Sequence, residues 1–386
     1  MNFKGYLRPD GTVGSRNYVG VIPSVFCVNE IAEAIVHQTE GSVGFYHHKG
    51  CTQLPPDLEW TTDALIRIGQ NPNLGAILII SLGCEGTDNE RLVTELKKTG
   101  KPVEIIVSQE IGGSSAAIHV GTNIVRDMWL KLSGQQREEA SLSNYIMGIK
   151  CGGSDTTSGL ASNPVVGYVA DKVIDEGGTV VFSETTEFIG AEHILARRAK
   201  TPEIAKEIYK IVNEMEQIAK ASGVDMRKGQ PTPGNIKGGL SSIEEKSLGA
   251  IVKSGTKDID GVIYYNDRPE GKGLYIKHSP AKEIELLTAM AISGSQCMLF
   301  STGRGAPQGY PAVPIIKVCG NPVSFKTQYN EMDIDAGQII LGKRSIDEVG
   351  EEVFAKLIRV LSGETTRSEA IKYTHSMDIY TPGTSL

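Results

Sequence analysis

Short apolar runs alternate with longer stretches of helical period along almost the whole chain, and this alternation limits the fold more than any other feature. The runs lie at 19–25, 76–82, 103–108, 145–149, 179–182, 261–265, 298–301 and 315–318. Between them, apolar residues recur with helical spacing at 28–38, 59–68, 88–98, 114–133, 165–176, 191–199, 202–222, 243–253, 282–293 and 346–361. Parallel strands need a crossover connection, usually a helix, so the pattern predicts an α/β chain with mostly parallel sheets. The last helix has a start signal, with Ser345 at its cap and Glu348 three residues on.

Two polar stretches, 132–144 and 222–242, interrupt the alternation. The first divides the chain into an N-terminal α/β domain at 1–135 and a C-terminal, Rossmann-like α/β domain at 136–386. The second is rich in Gly and Pro and reads as a long excursion between sheet-forming segments. A chain of 386 residues is long enough for two or three such units.

The net charge of −7, with no long basic run, argues against a nucleic-acid surface. The N-terminus "MNFKGYLRPDG" has no apolar signal-peptide region, and the apolar runs are too short to span a bilayer, so a cytoplasmic protein with no membrane partner is expected. The six cysteines (27, 51, 84, 151, 297, 319) form no CxxC pair and read as reduced thiols or ligands.

Ligands of open parallel sheets bind beyond the carboxyl ends of the strands, so the loops after each apolar run carry the argument. In "KCGGSDTTSGLASNP", Lys150, Ser154, Asp155 and Thr156 crowd into a glycine turn before a helix. Helix capping needs one such residue, whereas a polyol or carboxylate ligand uses several. "STGRGAPQG" offers Thr302 and, between glycines, Arg304, whose planar fork matches a carboxylate. "SETTEFIGAEH" holds Glu184, Glu187, Glu192 and His193, from which Glu184 and His193 are read as proton-transfer groups. "YHHKGCTQ" and "GCEG" supply His47, His48, Cys51, Cys84 and Glu85 at two strand ends. Imidazole and thiolate suit Fe(II) or Zn(II), and His48 could instead move a proton; a surface loop with buried small thiols accounts for the same residues equally well. "SIEEKSLGAIVKSG" reads as an amphipathic helix without chemistry, and Asp333 and Asp335 read as structural.

Taken in order, "GYLRPDGTVGSRNYV", "KGCTQ", "GCEG", "KCGGSDTTSGLASNPVVG", "SETTEFIGAEH", "STGRG", "VPIIKVCGN" and "DIDAG" resemble the altronate/galactarate dehydratases, the UxaA-type hydro-lyases, over nearly the whole chain. The resemblance implies a metal-dependent hydro-lyase that dehydrates a sugar acid, such as an altronate-like aldonate, to a 2-keto-3-deoxy acid. It implies Fe(II), with Mn(II) or Mg(II) as substitutes, held among His47, His48, Cys51, Cys84 and Glu85. Arg304 would face the carboxylate and Ser154, Asp155 and Thr156 the hydroxyls, with Lys150 and Thr302 also among the substrate-binding residues. Residues 1–135 would be the family's second domain and 136–386 its catalytic domain. Single-chain members carry a small N-terminal SAF domain, so this chain reads as a large subunit whose small SAF subunit is encoded separately, in an oligomeric enzyme.

"HHKGC" departs from the form expected of the sugar-acid enzymes. "GAEHILARRAKTPEI" and "QPTPGNIKGGLSSIEEKSLG" resemble the large subunit of (2R)-sulfolactate sulfo-lyase, which eliminates sulfite. That activity, and a non-catalytic sugar-acid-binding subunit, are the competing expectations.

Overall fold

The computed structural model describes residues 1–383. In the N-terminal part, β1 (Asn2–Leu7) and β2 (Val13–Gly14) precede β3 (Tyr18–Pro23), β4 (Ser42–Gly44), β5 (Leu74–Ser81) and β6 (Val103–Val107). The last four form a parallel sheet in the order β4-β3-β5-β6. β5 is buried along its whole length, as its unbroken apolar run requires of a strand covered on both faces.

β7 (Glu138–Ser141) pairs antiparallel with β1, tying the N-terminus to the link between the two parts. Beyond it lie β8 (Ile146–Cys151), β9 (Thr179–Phe182), β10 (Ile259–Ile263), β11 (Gly273–Lys277), β12 (Cys297–Thr302), β13 (Ile315–Cys319) and β14 (Ile334–Asp335). They form one parallel sheet in the order β10-β11-β9-β8-β12-β13-β14. The α/β expectation therefore holds, and each of the eight expected strands is present. β1, β2, β4, β7, β11 and β14 were not legible, being short, exposed on one side or, in β11, ended by a lysine.

Helices 163–175 and 346–361 cover one face of the large sheet, with Ile149, Leu299 and Val318 beneath them. The other face, with Phe300, Met298 and Val181, packs under helix 283–292 and against the first part, including Leu65, Ile68 and Ile77. Asn73 crosses the same boundary, donating to the carbonyls of Gln296 at 2.9 Å and Ala312 at 2.8 Å. Among the described residues, no helix is long and apolar enough to cross a membrane.

Candidate active site

The chain order of the large sheet reverses between β8 and β12. One run of connections goes outward from β8 through β9, while β12 starts the opposite side. Parallel sheets leave a crevice at the carboxyl ends of such a pair of strands. The loop after β8 and the loop after β12 are stitched together there. Gly152 N–H donates to Ser301 O at 3.0 Å, and Arg304 N–H to Gly153 O at 2.8 Å. A Cβ on Gly152 would run into the Lys150 ammonium and lie 3.0 Å from Phe300 Cζ. The glycine leaves that ammonium its space.

A cavity of about 470 Å3 opens here, with Lys150, Cys151, Ser154, Glu184, Glu187 and Lys246 on its floor and walls. The 222–242 excursion folds over it as two short helices, 226–229 and 233–237. Gln230 and Asn235 reach the cavity: Lys246 Nζ donates to Gln230 Oε1 at 2.9 Å, and Asn235 Nδ2 to Ser154 O at 2.8 Å.

The floor is a largely buried ionic cluster. Glu184 is 1% exposed and accepts from the Cys151 N–H at 3.0 Å, while its carboxylate pairs with Lys253 and stands 3.7 Å from Lys150 Nζ. Glu187 pairs with Lys246 at 3.1 Å and Lys253 at 3.5 Å. Lys150 also meets Glu283 at 3.1 Å and lies 4.5 Å from the centroid of the Phe300 ring. Buried charges persist only when paired, and here each carboxylate has an ammonium. Glu184 has φ +78° and ψ +61°, a left-handed conformation costing a non-glycine residue roughly 1–3 kcal/mol. The turn after β9 holds this strain and thereby aims the Glu184 carboxylate back under β8.

The cluster drives the two carboxylates apart in acidity. Burial and the nearby Glu187 raise the Glu184 carboxyl above its ordinary range, outweighing Lys253 and Lys150. Burial acts on Glu187 too, but Lys253, Lys246 and Lys150 together hold it below that range. Burial opposes the charge on Lys150, yet Glu184, Glu283 and Glu187 outweigh it and raise its pKa. Two carboxylates with opposed shifts are the physical basis of an acid and a base at one site.

Of the side chains expected from sequence, the cavity gathers Lys150, Ser154 and Glu184. Thr302 is buried, its hydroxyl accepting from Gly305 N–H at 2.9 Å, and it shapes the β12 loop. Asp155 is spent on its own turn and on the loop after β13, accepting from Thr157 Oγ1 at 2.6 Å, Ser158 N–H at 3.0 Å and Asn321 Nδ2 at 3.0 Å. Thr156 hydrogen-bonds Gly238 through its backbone at 3.1 Å and faces a neighbouring groove. Arg304 is exposed and reaches the Gly234 carbonyl at 3.2 Å, outside the cavity wall. His193 and His48 are exposed, and neither lines this cavity. Lys246, Lys253 and Glu283 were missed. The first two lie in the helix read as devoid of chemistry, and their separation of seven residues puts them on one helical face.

The expected metal ligands do not form a set. His47 is fully buried, with Nε2 2.7 Å from the Pro23 carbonyl and Nδ1 accepting from Lys49 N–H at 3.1 Å, so neither nitrogen is free to bind a metal. Glu85 spends both oxygens on Ser24 at 2.6 Å, Asn89 at 2.7 Å and Gly83 N–H at 2.7 Å. The Cys51 and Cys84 loops do meet, Gly86 N–H donating to Gly50 O at 2.9 Å. Yet among the described residues no three His, Cys, Asp or Glu side chains gather as a metal centre. The carboxylates of the cavity already carry ammonium partners. The donor sets do not fit an iron site as they stand.

Residues 142–384 match the model of the C-terminal part of D-galactarate/altronate dehydratases, and residues 5–133 that of the second domain of D-galactarate dehydratase/altronate hydrolase. The chain belongs to the galactarate/altronate dehydratase family. It is similar to (2R)-sulfolactate sulfo-lyase subunit beta of Chromohalobacter salexigens, with 35% identity over 371 residues covering 96% of this chain and 95% of that one. It is 33% identical to the altronate dehydratase of Bacillus subtilis over 378 residues, 95% of this chain and 75% of the other. The galactarate dehydratase (L-threo-forming) of Escherichia coli is 35% identical over 385 residues, covering 94% and 73%. These family members are carbon–oxygen and carbon–sulfur lyases, and this chain is a lyase of the same family. In family terms the cluster of β8, β9 and helix 243–251 lies wholly within the C-terminal region, while the Cys51 and Cys84 loops belong to the second domain.

Proposed function

We propose that this lyase removes water from a sugar acid, an altronate-like aldonate, to give a 2-keto-3-deoxy acid, acting as a large subunit beside a small SAF-domain subunit on a separate polypeptide. The observation that carries the reading is the buried Glu184–Glu187 pair at the floor of a polar cavity, burial raising the first carboxyl while three lysines hold down the second. Lys150 would meet the substrate carboxylate and stabilise the extra negative charge that develops on it as C2 loses its proton. Glu187, held ionised, would accept that proton. Glu184, whose carboxyl lies above its ordinary range, would relay a proton from its Lys253 partner to the C3 hydroxyl as it departs as water. The resulting enol tautomerises to the ketone. Ser154 and Asn235, at the wall, would bind hydroxyls further along the chain.

A second reading, elimination of sulfite from a sulfolactate-like acid, is favoured by the match to the sulfo-lyase subunit over nearly the full length of both chains. Sulfite leaves without needing a proton, so the two readings differ in how much Glu184 matters. The large-subunit assignment and an oligomeric, cytoplasmic enzyme are part of the same proposal. A divalent ion, Fe(II) first and Mn(II) or Mg(II) after it, enters only as a component to be assayed.

The test is an anaerobic assay of the purified chain, with and without Fe(II) and a candidate SAF subunit, on a panel of aldonates, aldarates and sulfolactate. Keto-deoxy acid and sulfite are measured separately. Formation of keto-deoxy acid from an aldonate is the expected result. Sulfite without keto-deoxy acid would replace the first reading by the second.

A further inference from the structure

Lys317, on β13, has a side chain that the reaction proposed above does not use. It is 0% exposed, and among the described residues its ammonium nitrogen has no hydrogen-bond partner. An unpaired buried amine is costly, and native folds rarely keep one without a use. The sheet register shows where it stands. Phe300 on β12 pairs with Lys150 on one side and with Lys317 on the other. The three residues therefore form one row on one face of the sheet, with the aromatic ring between two lysines. Helix 283–292 lies over this face and begins with Glu283. Its carboxylate pairs with Lys150 at 3.1 Å and lines the cavity.

We infer that Lys317 is a positioning residue: when a substrate carboxylate takes Lys150, the Glu283 carboxylate turns across Phe300 to Lys317. The inference rests on the proposed role of Lys150 as the carboxylate ligand. Without such a second station, each substrate would have to displace Glu283 from Lys150 into a place with no cation. With it, the row of two ammonium groups holds two carboxylates, one from the protein and one from the substrate, and the site selects an acid over a neutral polyol. The other acidic groups facing Lys317 are Asp333 and Glu331. Asp333 is already committed, its Oδ2 accepting from the Lys317 backbone N–H at 3.0 Å and its Oδ1 from Arg367 N–H at 3.1 Å. Burial, the largest influence, lowers the Lys317 pKa to about 8 against the pull of these three carboxylates, in keeping with an amine awaiting its partner.

The experiment compares Lys317→Met with Lys317→Met/Glu283→Gln on the acid that the native enzyme turns over. Lys317→Met is expected to raise KM about tenfold, equivalent to about 1.4 kcal/mol, with kcat little changed. Glu283→Gln in that background is expected to bring KM back to within about twofold of the native value, because a neutral amide no longer competes for Lys150. A KM that does not rise, or a rise that Glu283→Gln leaves in place, overturns the inference. A thermal measurement without substrate separates this from failure of the proposed reaction. Because the folded pKa lies below the ordinary 10.5, Lys317 costs stability increasingly as pH falls from 10.5 towards 8. The Tm of Lys317→Met should therefore rise relative to the native chain over that window. A Tm that drops at every pH would mean the ammonium has a partner in the free protein, and would overturn the inference whatever the substrate.

Discussion

Lys253 and Glu184 form a buried ion pair, the lysine side chain 0% and the glutamate side chain 1% exposed. Each partner makes the other tolerable, so removing one is worse than removing both. Lys253→Met is expected to cost about 3–5 kcal/mol in urea unfolding, because it strands a buried carboxylate. Glu184→Gln/Lys253→Met should recover most of that loss. Equal losses in the single and double variants would show that the lysine stabilises through packing alone.

Acidity divides the work between the two carboxylates. Lys246 is one of the cations that keep Glu187 below the ordinary carboxylate range. If Glu187 is the base, the acid limb of the kcat profile reports its titration. Lys246→Met removes a positive neighbour, so that limb should move to higher pH. A profile that keeps its acid limb in place argues for a different base.

Glu184→Gln should lower kcat for water elimination by about a hundredfold to ten-thousandfold, the range for loss of a positioned acid or base. The same variant acting on a sulfite-releasing substrate should lose far less. Parallel measurement of both products decides which leaving group the site was built for.

Arg304 was expected to hold the substrate carboxylate, but its guanidinium is exposed and bonded to a loop carbonyl. Lys150→Met should therefore reduce kcat/KM by about a hundredfold or more, while Arg304→Ala stays within about tenfold. The reverse order would place the carboxylate at the β12 loop.

His47 gives the fold a pH dependence of predictable sign. Burial lowers its pKa from 6.5 to about 4, against the hydrogen bond to Pro23 and the charge of Asp378 that favour protonation. The folded state keeps the ring neutral where the unfolded chain would protonate it. Its contribution is thus full above pH 6.5 and is lost as pH falls from 6.5 through about 4. His47→Gln should flatten the fall of Tm over that window, as scanning calorimetry can show.

The residues explain why some of this was legible and some was not. β5 and β12 are read from sequence because an unbroken apolar run has few other uses. β11 is missed because Lys277 ends it, and nothing local reveals that this lysine is buried against the Asp267 carbonyl and Ser293. His47 and His48 suggest a metal because they adjoin, yet the chain turns only one of them inward: one is buried and the other exposed. Lys246 and Lys253 look like the solvated side of an amphipathic helix. Only the arrival of β8 and β9 beneath that helix turns its polar side into the floor of a site.

The apolar core shared between the two sheets has a consequence for how the molecule comes apart. The two family-matched regions meet through Leu65, Ile68 and Ile77 on one side and Leu286, Met290 and Phe300 on the other. A seam of that kind makes the inherited module boundary a poor place to cut. Expressed alone, either half would present a greasy wall to solvent and clump, whereas the intact chain should melt in one endothermic step.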